Sequence, residues 1–125
     1  MPQSSHVTDE LQRARSLLSP RRVNTPLTEM SANPAPETIG AQAGIGFKAT
    51  KSGLTFNVYV FEDWDQSNAA VGSFDRQHEA EKNVYVATSM NGPLVFYGFV
   101  RTDTRDGTDK QFQLADFMSA FAGDE

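Results

Sequence analysis

Two groups of carboxylates stand where strands are expected to give way to helices: Glu62, Asp63 and Asp65, then Asp103, Asp106 and Asp109. Paired carboxylates can exchange protons with a substrate or hold a hard cation through oxygen. They are the alternative site of this reading, that of a small-ligand or metal-binding module. A structural use competes with it. Asp63 opens the pattern Asp63-x-x-Gln66, a capping-box variant, and acids in polar turns are ordinarily solvated. Thr102–Gly107 superficially follows a calcium loop. With Gly107 at the loop's sixth position, Thr102, Thr104 and Asp106 fall at the first, third and fifth. Gln113 then stands where a bidentate Glu is required, and Arg105 lies among the ligands, so the pattern fails as a calcium site.

Other chemistry is sparse. The two histidines, His6 and His78, lie in a polar start and in the charged stretch 75–82, and both read as exposed. Neither adjoins a Ser in a Gly-x-Ser-x-Gly elbow. No cysteine exists, which excludes disulfides, thiolate metal sites and a Cys nucleophile. No glycine-rich loop of phosphate-cradling spacing occurs; Gly44 and Gly46 precede a strand rather than linking a strand to a helix. No nucleophile–base pair can be named, so the expectation is a non-enzyme without cofactor or metal.

The elements that would position these residues begin with a helix over about 8–18. Leu11, Ala14, Leu17 and Leu18 share one face, Thr8 can cap, and Pro20 ends it. Residues 19–46 hold Pro20, Pro26, Pro34 and Pro36 among small polar residues and keep no period, so they read as an extended arm. The 13 aromatic residues all follow residue 46. Leu54–Phe61 alternates: Leu54, Phe56, Val58 and Val60 on one face, Thr55, Asn57, Tyr59 and Phe61 on the other. It should form a hairpin with 46–50. A helix of at most about three turns follows Asp63, with Trp64, Ser67, Val71 and Phe74 inward. Residues 75–82 read as a solvated link. Val84–Thr88 and Leu94–Val100 are strands joined at Asn91-Gly92, pairing Tyr85 with Gly98. The second is apolar on both faces and should be central. Thr108-x-x-Gln111 caps a last helix whose stripe is Leu114, Phe117, Met118 and Phe121. The expected fold is α+β: a mainly antiparallel four-stranded sheet in the order β-β-α-β-β-α, its two helices on one face. A helix and irregular arm at 1–45 precede this single domain at 46–125.

The run Tyr97-Gly98-Phe99-Val100 resembles part of the RNA-recognition-motif signature on its strand before a helix. The signature needs Arg or Lys where Val95 stands, Gly where Phe96 stands, and an aromatic at Thr102. The block Asn57-Val-Tyr-Val-Phe-Glu-Asp63, the short helix, the second hairpin and the final helix together resemble small domains of uncharacterised bacterial cell-envelope proteins. That resemblance spans about residues 45–122 and implies no known enzyme activity.

Charge narrows the partners. The net charge is −5, and all of it falls after residue 46, where seven basic residues face twelve acids. Such a domain repels phosphate backbones, so no nucleic acid is expected. No run of 18 apolar residues exists, so no transmembrane segment is expected. No signal peptide is visible, which leaves the compartment open between cytoplasmic and exported with a signal removed earlier. The function expected is a non-enzymatic interaction or accessory subunit. Its arm would contact a protein partner or a second copy through Leu11, Leu17, Leu18, Pro26, Pro34 and Pro36. The rival expectation is that helix 8–18 docks back and covers the sheet.

Overall fold

The computed structural model describes residues 3–123. Its elements are α1 (Gln3–Leu17), α2 (Pro20–Val23), β1 (Leu27–Met30), a 3-10 turn (Pro36–Ile39), β2 (Ala43–Ala49), β3 (Thr55–Val60), α3 (Trp64–His78), β4 (Val84–Asn91), β5 (Leu94–Arg101) and α4 (Gly107–Ala122). The fold is α+β. The sheet has five strands, not four, in the order β1-β2-β3-β5-β4, with every neighbour antiparallel. The extra strand lies in the arm expected to be irregular: Leu27 pairs with Ala49 and Met30 with Gly46.

The helices do not share a face. α1 and α4 cover one side, where Leu17, Leu18, Phe56, Phe96, Phe117 and Phe121 are buried together. α3 covers the other, packing Phe74 among Tyr59, Phe61, Val95 and Tyr97. The reason lies in β3 and β5. Both are apolar on both faces over much of their length, and a strand like that needs cover on each side. The expected alternation of β3 holds, and β5 is central, between β3 and β4.

Four boundaries differ from expectation, the first being α1, which opens at Gln3 rather than near residue 8. α3 runs through the supposed charged link to His78, because Asp75, Arg76 and Gln77 face water while His78 returns to the sheet one turn after Phe74. α4 opens at Gly107 after Asp106 rather than on a Thr108 cap. A Cβ at Gly107 would run into the Arg101 carbonyl, so the close return of the chain there requires glycine. The β4–β5 turn is Gly92-Pro93, pairing Asn91 with Leu94 and so Ala87, not Tyr85, with Gly98. Gly92 carries the positive φ of 62° that this tight turn needs. The Asp63 cap forms as expected, accepting from the Gln66 amide at 3.0 Å.

Candidate functional site

α3 covers only part of its face. Towards β1 an open cleft of about 250 Å³ remains, lined by Met30, Asn33, Thr55, Asn57, Gly98 and Phe99. Strand alternation puts Thr55, Asn57 and Phe99 on this face, and β1 adds Met30 beside Gly46. Met30 is 46% exposed and Phe99 48%, large apolar side chains held open on a built surface. The floor is rigid. Asn57 Nδ2 donates to the Asn33 carbonyl and its Oδ1 accepts from the Asn33 amide, both at 3.0 Å. The Tyr59 hydroxyl donates to the Pro34 carbonyl at 2.6 Å, pinning the arm to the sheet.

A polar relay borders the cleft. His78 lies with its ring 4.8 Å from that of Phe99. Its Nδ1 is 2.6 Å from Glu81 Oε1 and its Nε2 is 2.6 Å from the Tyr97 hydroxyl. A carboxylate only accepts, so Nδ1 carries hydrogen; in the neutral ring Nε2 then accepts from Tyr97. Such a chain can pass a proton from hydroxyl through imidazole to carboxylate. Here the hydroxyl belongs to a residue only 3% exposed. Its ring is stacked on Phe74 at 3.9 Å and 6°. The relay therefore ties the end of α3 to β5 rather than presenting an oxygen to solvent. Burial, and secondarily the Glu81 charge, push the Tyr97 phenol up from its ordinary value. Burial raises Tyr59 as well, helped by Tyr97.

The residues expected to meet a partner are distributed differently. Leu17 and Leu18 are buried in the chain's own core, and Leu11 packs against it half-buried. Pro26 is exposed, while Pro34 and Pro36 are half-buried against the α3 side of the sheet. The Pro36 ring would lie 3.1 Å from a Cβ at Gly44. The acids also have work within the fold. Asp63 caps α3, with Glu62 and Asp65 exposed beside it. Asp103 pairs with Arg101 at 2.9 Å and Asp106 with Lys110 at 3.4 Å; these hydrogen-bonded cations hold both carboxyls below their ordinary values. Asp109 is exposed in the first turn of α4. Among the described residues no group of three or more His, Asp or Glu is placed to hold a metal ion, and no helix is long and apolar enough to cross a membrane.

The cleft itself went unanticipated. Phe99 carried a signal, as the last aromatic of a strand whose other two faces-in residues, Val95 and Tyr97, need cover. Met30 carried none, because β1 is only four residues long. His78 and Glu81 read as a charged link, and only the spacing of Phe74 to His78 hinted at a continuing helix.

No family model matches this chain, and neither a curated protein nor a solved structure matches it.

Proposed function

We propose that this protein is a non-enzymatic interaction or accessory module, and that its arm contributes to the contact through β1 rather than through α1. One observation carries the reading: Met30 and Phe99 are both exposed in a single cleft whose walls are fixed by the Asn33–Asn57 and Tyr59–Pro34 bonds. Large apolar side chains grouped at a concave, pre-formed surface favour association, since covering them releases water without a cost of ordering the site. The occupant fitting this cleft is a protein segment that offers one apolar side chain and a few backbone polar groups. Thr55, exposed on the cleft wall, is available to hydrogen-bond that backbone.

The test replaces Met30 and Phe99 together by Lys and uses the full chain as bait, with Phe112→Lys as a control on an exposed aromatic elsewhere. The expected result is loss of the co-purifying partner for the double variant alone, at an unchanged melting temperature. Retention of the same partner by a folded double variant would overturn the assignment of the cleft.

A further inference from the structure

The sheet has two ends, and only one is closed. β1 is four residues long, follows Pro26, and carries Glu29, paired with Arg15 at 2.8 Å. Short strands, prolines and charges are the ordinary means of blunting an edge. β4 has none of them. Its eight residues, Val84–Asn91, include no charge and no proline, and no strand among the described residues pairs with its outer side. The Thr102 amide donates to the Asn83 carbonyl at 2.8 Å, so odd-numbered residues turn their backbone groups toward β5. Val84, Val86, Thr88 and Met90 therefore direct theirs outward.

The surroundings of this edge also lack a finish. On the α3 side, Thr88 donates to Asp75 at 2.9 Å, which identifies the flank of α3 that borders β4. Helical spacing places Trp64, 58% exposed, on that flank. On the α4 side, Gln113 bonds Ser52 and so faces inward along the sheet. The opposite flank, bordering β4, then holds Ala115, Met118 and Ala122.

We infer that β4 is a homodimer edge, pairing antiparallel with β4 of a second copy to make one continuous sheet of ten strands. Three features select a second copy as the occupant. An uncharged strand can pair with itself about a two-fold axis without setting like charges opposite. With Ala87 on the axis, Val84 faces Met90 of the second copy and Val86 faces Thr88, so all four outward residues are paired. α3 and α4 both lie over β4 and β5. Their axes thus sit roughly half a strand spacing inside the edge, and strands about 4.8 Å apart put equivalent helices of two copies about 10 Å apart. That is the ordinary separation of packed helices, and the small residues of the α4 flank suit it. The inference does not rest on the Met30–Phe99 cleft, which opens on the α3 face between β1 and β5 and not on the outer side of β4.

Sedimentation equilibrium of the full chain, followed by hydrogen exchange of its amides, tests this. The expected mass is twice the 13.8 kDa of one chain. In the dimer the amides of Val84, Val86, Thr88 and Met90 should be protected, although an isolated edge leaves them open to water. Trp64→Glu and Ala115→Glu should each weaken association by about tenfold or more. Each should also release protection at those four amides while leaving that of β3 unchanged. A single-chain mass at concentrations up to about 0.5 mM would overturn the inference. So would a dimer in which these four amides exchange freely.

Discussion

The two faces of the sheet are held in different ways. Under α1 and α4 the buried centre is apolar and the polar ties, Arg13 to Asn91, Asn91 to Phe121, Arg22 to Ala120 and Ser52 to Gln113, stand around it. Phe56 stacks on Phe47 and Phe96 at 5.4 and 4.8 Å and meets Phe117 at 5.0 Å, with Phe96 against Phe121 at 5.6 Å. Under α3 the two tyrosines carry polar ends, and each end is fastened: Tyr59 to Pro34, Tyr97 to His78, and beside them Thr88 to Asp75. The first face is filled by stacked rings, while the second, fastened at a few polar points, holds the cleft between Met30 and Phe99. A face packed like an organic crystal offers a partner nothing. One pinned at a few points can hold an open cleft between the pins.

Deleting residues 1–45 should break the first face outright. Ala14, Leu17 and Leu18 leave the core with α1, β2 loses its first three residues and its pairing with β1, and the truncated chain should fail to show a cooperative melting transition. Phe117→Ala should cost about 3–5 kcal/mol, read from chemical denaturation, since a fully buried ring among four others leaves a cavity that cannot collapse. Gly98→Val should cost about 1–3 kcal/mol or more despite better strand propensity. The added Cβ would meet Phe56 Cβ at 2.8 Å and Leu114 Cδ1 at 3.0 Å.

The second face should answer smaller changes and pH. Tyr97→Phe keeps the stacking on Phe74 but leaves His78 Nε2 without its partner, a loss of about 1 kcal/mol. The phenols of Tyr97 and Tyr59 are both raised in the folded chain. The unfolded chain therefore ionises first, and the stability they confer is present below about pH 10 and falls as pH rises beyond it. Both tyrosines should contribute to this alkaline fall, and Tyr97→Phe should make it shallower. An unaltered slope in that variant would show that the polar fastenings of the second face matter less than its packing.

Much of the first face was legible in the sequence. The alternation of Phe56, Val58 and Val60 and the spacing of Leu114, Phe117 and Phe121 each repeat long enough to define a period. The double-sided β5 was legible too, and it already implied cover on both faces, which one layer of helices cannot supply. What escaped had short or distant causes. β1 spans too few residues for a period and buries no residue fully. The β4–β5 register turned on which two of Asn91, Gly92 and Pro93 form the turn. A shift of that pair by one residue moves Gly98 from Tyr85 to Ala87. The cleft depends on the arm returning across the sheet, which Asn57 secures from 24 residues away.

Arg13 and Arg22 bear on how the chain is made. Arg13 bonds Asn91, 78 residues later, and Arg22 donates to the Ala120 carbonyl 98 residues later while also holding Leu17 at the end of α1. α1 leaves the ribosome before any of these partners exist. At ordinary synthesis rates its apolar stripe waits on the order of ten seconds for them. α1 is thus expected to seat after the β4–β5 hairpin and α4 have formed from contacts close in sequence. The nascent chain spends that interval with Leu11, Leu17 and Leu18 uncovered, which marks this stripe as the segment a chaperone would meet.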